Sequence, residues 1–501
     1  MSTIQFALIS HTNNGKTTLA RTLTGADVGE VRDAAHVTLH SESHTLLTTP
    51  QGDALQLWDT PGFGDSVRLL KRLGSSGNPI GWFLREVLDR YRDRSFWLSQ
   101  QALRAARDSA DVVLYLVNAS EEPQDTGYLP AEMKILEWLG KPVVVLLNQM
   151  GPPGSAEGVE AERARWKQHL DRYPVVREVL PLDAFARCWV HEHVLFETIG
   201  SLIAAPQAEG YARLLAAWKK GNTDRFHAAM RVMADQLAAA ATDSQTVEAE
   251  SKSTLQSALK IVGLGKGVEQ RRQDAAMNTL IARLNTGIAE CTTRLLALHK
   301  LDPSEAARIN ARVLENFVVR APIDKGQAGL LGAIIAGAGT GVSADLLAGG
   351  LTFGAGALLG GMVGALSFAG AAWGFNSSTD RLHPTMYLRD DLLNSLLLAS
   401  VLRYLAVIHF GRGRGNFVEG EAPGFWQEEV ERALLTHQQE LGGIWQALRT
   451  RVDPAASEAR LQAILVDIVA STIRTLYPAS LTGFEQRGAV TALTANRPAQ
   501  A

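Results

Sequence analysis

One run near the start of the chain, IQFALISHTNNGKTTLA (4–20), constrains its fold more than any other feature. A short apolar stretch rich in β-branched residues stops at a polar loop. The loop ends in Gly15-Lys16-Thr17-Thr18, and a helical pattern follows. This is the layout of a phosphate-binding loop, G-x-x-x-x-G-K-[ST]. Gly15 lets backbone amides turn toward phosphate, and Lys16 can reach the β- and γ-phosphates. The Thr17 hydroxyl is a ligand for Mg²⁺, and the helix that follows aims its N-terminus at the negative charge. Asn13, Asn14 and Thr18 complete the candidate cradle. One position departs from the pattern, because Ser10 stands where the first glycine is expected.

A second motif lies about 40 residues on, in ALQLWDTPGFG (54–64), an apolar strand that ends in D-T-P-G. Asp59 is placed to hold the Mg²⁺ shell, and the Gly62 amide to sense a γ-phosphate. Taken alone, D-T-P-G is also good turn chemistry, so the spacing to Lys16 is what makes the pair specific. ADVVLYLVN (110–118) and VVVLLN (143–148) read as further buried strands of a parallel sheet. Helical patterns separate them, AEMKILEWLG (131–140) among them, and AERARWKQHLDRY (161–173) follows. The alternation predicts a doubly wound α/β domain over residues 1–205.

With these motifs the first 205 residues resemble the translation-factor-related GTPases, specifically the Era/TrmE-like branch. The resemblance implies a Ras-like P-loop NTPase fold that binds GTP and GDP with Mg²⁺ and hydrolyses GTP to GDP and phosphate. It implies a threonine that closes over Mg²⁺ and the γ-phosphate, for which Thr38 in AAHVTLHSE is the match; an ordinary surface or strand threonine is the competing reading. Asn13 matches the asparagine that ligates potassium in cation-activated members, and it reads equally well as a polar loop residue suited to left-handed backbone. Phe63 occupies the position where Ras-type enzymes carry the glutamine that orients water. Hydrolysis must then use another group, a partner or a cation, or be slow. The base-reading motif N-K-x-D is here N-Q-M-G (148–151): Asn148 matches, Gln149 replaces the lysine, and Gly151 replaces the aspartate that accepts from guanine. Guanine preference therefore rests on the resemblance. In PLDAFAR (181–187), Asp183 and Ala184 fall where the family's last base-contacting loop lies, with the Ala184 amide offered to the base. Pairing of two such domains is a further expectation.

Beyond residue 205 strand signals stop and long amphipathic patterns predict an all-helical region, divided into 206–326 and 376–488 with a disordered tail at 489–501. Between them, residues 327–375 are about half Gly and Ala with one charge, Asp345. GLLGAIIAGAGTGVSADLLAG (329–349) and GAGALLGGMVGALSFAGAAWG (354–374) form two apolar legs joined by GLTF. As a helix each would span about 30 Å, the thickness of a bilayer's hydrocarbon core. Gly356, Gly360 and Gly364 lie at a spacing that lets helix backbones approach closely. Two readings stand: a hairpin inserted in the inner membrane, or a buried glycine-zipper hairpin in which Asp345 has a polar partner. Residues 64–96 form a long insert after D-T-P-G, read as a partner surface or as an extra packed helix. G-L-G-K-G (263–267) lacks a following Ser or Thr and a preceding strand, and reads as a helix break.

Composition narrows the function class. With 49 Lys+Arg against 52 Asp+Glu the net charge is −3, which excludes bulk nucleic-acid binding as the organising property. Two cysteines far apart exclude a disulfide framework or zinc site. The start of the chain lacks a signal-peptide pattern, so a cytoplasmic protein is expected. As a whole the chain resembles a bacterial family that fuses an Era-like GTPase domain to a helical domain with a Gly-rich core. The leading expectation is a nucleotide-controlled switch associated with the inner membrane, acting on a protein partner. A non-catalytic nucleotide-binding scaffold and a dynamin-like membrane-remodelling GTPase are the alternatives.

Overall fold

The computed structural model describes residues 1–25, 42–60, 62–63, 65–74, 94–150, 156–182, 189–247, 265–301, 373–376, 385–409 and 424–477. They fall into two compact units, the first containing the described residues up to Asp224 and the second most of those beyond.

The first unit is built on a six-stranded sheet in the order β2-β3-β1-β4-β5-β6. Its strands are β1 (Thr3–Ser10), β2 (Glu42–Thr48), β3 (Ala54–Asp59), β4 (Val112–Asn118), β5 (Val143–Asn148) and β6 (Val176–Pro181). The central strands β4 and β5 are apolar without alternation because both of their faces are covered. On one face Ala7, Ile9, Val113, Tyr115 and Val117 pack against Leu103, Met133 and Trp166. These three come from α3 (Arg94–Ser109), α4 (Leu129–Leu139) and α5 (Ala156–Leu170). The opposite face carries Phe6, Leu8, Leu114 and Leu116 against Leu19, Phe196 and Tyr211. Those belong to α1 (Lys16–Thr24), α6 (Trp189–Gly200) and α7 (Ala205–Thr242); α2 is Ser66–Gly74. The sheet is mixed rather than wholly parallel, since β2 runs antiparallel to β3. The strand order turns at β1, between β3 and β4, and ligands of such sheets bind at the carboxyl ends of strands at this switch point. The phosphate-loop motif sits there.

The second unit is largely helical, as expected. It contains α7 from Arg225 onward, then α8 (Gly265–Leu298), α9 (Asp390–Ile408), α10 (Gly424–Leu435), α11 (Gln438–Thr450) and α12 (Pro454–Leu476). The expectation of an all-helical region needs correction. A three-stranded antiparallel sheet, β7-β9-β8, joins Ser244–Thr246, Thr385–Leu388 and Trp373–Asn376. Strands of three or four residues are too short to display a period of two, so pattern reading misses them. Trp373 and Gly374, at the end of the second apolar leg, lie in β8 rather than in a helix. The rest of that leg, the first leg and Asp345 lie outside the described residues. G-L-G-K-G runs into the first turn of α8, which begins at Gly265, so the described part is a helix start.

Candidate functional site

β1 delivers Ser10 to the carboxyl end of the sheet, and the chain then turns through His11–Gly15 into α1. Asn13 takes a left-handed conformation with φ 67°, which asparagine tolerates better than most residues. Gly15 has φ 84°, and a Cβ there would also lie 2.5 Å from the Asn148 amide nitrogen, so glycine is required twice over. Ser10 fits because it is still strand: its buried hydroxyl accepts from Lys16 Nζ at 3.1 Å. The departure from the glycine pattern thus adds a lysine partner.

Lys16 is buried, and desolvation holds its pKa below the ordinary lysine value, opposed by the carboxylates of Asp59 and Glu132. The D-T-P-G segment meets the loop closely. A Cβ on Gly62 would fall 2.8 Å from Lys16 Nζ and 3.1 Å from Thr12 Cα. The Thr12 hydroxyl donates to the Phe63 carbonyl at 3.1 Å, and the Phe63 amide donates to the Ser10 carbonyl at 3.0 Å. Phe63 itself is buried in the core with Leu69 and Tyr115. Its side chain serves packing, so it cannot orient water at a phosphate.

The Thr17 hydroxyl donates to Asp59 Oδ2 at 2.7 Å. A hydroxyl and a carboxylate side by side at the N-terminus of α1 are hard oxygen donors of the kind Mg²⁺ prefers. The donor set therefore fits the metal that the fold implies. Thr18 and Asn14 are buried, and Asn14 Nδ2 donates to the Leu116 carbonyl at 3.3 Å.

The end of β5 braces the loop from the other side. Asn148 Nδ2 donates to the Asn14 carbonyl at 2.8 Å, and Gln149, with φ 57°, sends Nε2 to the Asn13 carbonyl at 3.3 Å. The substituted motif N-Q-M-G thus ties its first two residues to the phosphate loop. Thr38, Asp183 and Ala184 lie outside the described residues, as does Gly151. Asn13, Asn14, Gly15, Lys16, Thr17, Thr18, Asp59, Gly62, Asn148 and Gln149 are brought together.

Sequence reading missed a largely buried network that reaches the loop, made of half-buried His11 with Ser66, Tyr115 and Glu132. Glu132 Oε1 lies 2.7 Å from His11 Nδ1 and accepts from Ser66 Oγ at 3.0 Å, while Oε2 accepts from Tyr115 OH at 2.5 Å. A signal for it existed. Glu132 occupies the apolar stripe Leu129, Glu132, Met133, Leu136 of α4, where a carboxylate is out of place unless paired.

Comparison with known proteins agrees with this geometry. A family described as 50S ribosome-binding GTPase matches residues 5–149, and one described as Domain of unknown function (DUF3482) matches residues 170–469. No curated protein matches the chain. Among solved structures, Era from Aquifex aeolicus bound to GDP and AlF4⁻ is 22% identical over 36% of this chain and 52% of its own, with a TM-score of 0.27. Era in complex with MgGDPNP and a segment of 16S ribosomal RNA gives 22%, 36%, 51% and 0.27. Toc33 from Arabidopsis thaliana gives 16%, 38%, 73% and 0.24. The chain spans about half the length of the Era structures it matches. At these identities and scores the likeness carries no conclusion about activity.

Proposed function

The chain belongs to the family of the DUF3482 domain, carried here behind an Era-like GTPase domain, and on that premise we propose that it is a Mg²⁺-dependent GTPase switch whose nucleotide state acts through Gly62 on the helix Ser66–Gly74. One observation carries the reading: a Cβ on Gly62 would fall 2.8 Å from the Lys16 ammonium and 3.1 Å from Thr12 Cα, so Gly62 lies close against the phosphate loop. A γ-phosphate held by Lys16 is therefore within reach of the D-T-P-G backbone, and its loss frees that backbone. Thr17 and Asp59 would hold Mg²⁺, which when bound neutralises phosphate charge.

Intrinsic hydrolysis is slow in this reading, because Phe63 is committed to the core. Asn13, exposed at the top of the loop, supports potassium activation: turnover in KCl should exceed that in NaCl at equal ionic strength, and Asn13→Ala should remove the difference. Residues 327–375 support association with the inner membrane. Deleting them should move the protein from the membrane to the soluble fraction, and a wholly soluble, monodisperse full-length chain would overturn that part.

Titration calorimetry of the full chain with GTP, GDP, ATP and ADP tests the central reading. The guanine nucleotides should bind in Mg²⁺ and release phosphate from GTP. Binding of none of the four, or binding that is indifferent to Lys16→Ala, would sink it.

A further inference from the structure

Glu132 is fully buried, and its carboxylate collects donors from three separate pieces of chain. His11 belongs to the phosphate loop, Tyr115 to β4, and Ser66 opens α2, the helix directly after D-T-P-G. An ionised carboxylate in the interior is stable only while its lone pairs are met, and bonds to a charged acceptor are the strong ones. Removing Ser66 from this set would leave a buried carboxylate short of a donor, so this bond ties the start of α2 to the loop.

The surroundings anchor one end of this link. β4 and α4 lie in the packed core, with Tyr115 and Met133 fully buried, so Glu132 and Tyr115 are fixed points. His11 is held between them and the nucleotide side. Its ring stacks on Tyr128 with centroids 4.1 Å apart at 13°, and its backbone bridges to Phe63. Tyr128 in turn donates to Glu121 at 2.7 Å. Ser66 lies four residues beyond Gly62. Holding Ser66 favours the arrangement in which Gly62 lies close to Lys16, the arrangement in which its amide could meet a γ-phosphate.

We propose that Glu132 is a positioning residue for this GTPase, linking the phosphate loop through His11 to the start of helix Ser66–Gly74 and thereby setting the preference for nucleoside triphosphate over diphosphate. The inference rests on the GTPase reading above and adds a residue and a role to it.

The test measures affinity of the full chain for GDP and for a non-hydrolysable GTP analogue. Glu132→Gln should weaken the analogue about tenfold and GDP by less than about threefold, the size expected for one charge-assisted bond made in one state only. Ser66→Ala, which leaves the His11 and Tyr115 bonds in place, should shift the ratio in the same direction. Ser66→Thr keeps a hydroxyl and should restore it. If Glu132→Gln does not fold, the Ser66 pair decides. Equal weakening of both nucleotides, or an unchanged ratio with a lower melting temperature, would overturn the inference while the wild-type response to Lys16→Ala leaves the GTPase reading intact. A wild-type chain that binds neither nucleotide overturns both.

Discussion

The two units use their buried polar groups differently. In the first, Lys16, Asp59, Asn148 and Glu132 are all buried and converge where β1, β3 and β5 end or where α4 begins. In the helical unit, polar side chains that join neighbouring elements are in several cases only partly buried or exposed. Trp445 Nε1 on α11 donates to Asn394 Oδ1 on α9 at 2.9 Å, and Arg283 on α8 grips Asp243 just past α7 at 2.8 and 2.9 Å. A parallel sheet brings the ends of its strands to one edge, so single atoms from distant residues meet there. Packed helices touch along their lengths and spread their contacts. Substitutions at the site of the first unit should therefore cost binding without stability, and core substitutions in the second should cost stability without binding.

The largest effect is expected at Trp445, which has no exposed surface. Trp445→Ala should lower unfolding free energy by about 3–5 kcal/mol, read by denaturant titration, without altering GTP affinity of the folded fraction. A fall in that affinity would break the comparison by showing that the helical unit supports the site. Next, Lys16→Ala should weaken nucleotide binding by about a hundredfold, roughly 2.7 kcal/mol, with an unchanged circular dichroism spectrum. If it unfolds the chain instead, the site residues are structural too.

Gly151→Asp supplies the acceptor that the base motif lacks. It should sharpen GTP over ATP discrimination by about tenfold in competition binding, without changing stability. A wild-type preference already beyond about 10⁵-fold would show that other groups read the base.

The smallest effect concerns acid stability. Asp53, in the turn between β2 and β3, accepts from Arg213 at 2.7 and 3.0 Å, from the Ser2 amide at 2.9 Å and from Thr49 at 3.1 Å. The Arg213 guanidinium, aided by Ser2 and Thr49 and opposed by burial, holds its carboxyl below the usual carboxylate range. A depressed folded value means stability that is present above the unfolded pKa and lost as pH falls toward the folded one. Asp53→Asn should melt lower than wild type at pH 7, and the gap should close below about pH 4. A gap independent of pH would assign the loss to packing.

The one apolar helix of membrane length among the described residues is α9, Asp390–Ile408, and 67% of its most apolar window is buried within the protein. Its apolarity is spent on packing, and its face carries Leu393, Leu397 and Val401 into the core. Hydropathy alone could not separate it from the glycine-rich legs, because burial in protein and burial in lipid select the same residues.

The sequence by itself determined the phosphate loop, the D-T-P-G segment and the parallel core. Each is local: a strand, a turn and a helix start are written in consecutive residues, and the fully buried runs of β4 and β5 announce themselves by lacking alternation. It could not reveal that Ser10 is a partner for Lys16, that Phe63 is withdrawn into the core, or that Asn148 and Gln149 brace the loop. Nor could it reveal that Glu132 gathers His11, Ser66 and Tyr115. These contacts join residues far apart in the chain, and only the closing of the sheet brings them within hydrogen-bond reach. The small sheet β7-β9-β8 was hidden for the same reason, since strands of three and four residues exist only through the partners that tertiary structure supplies.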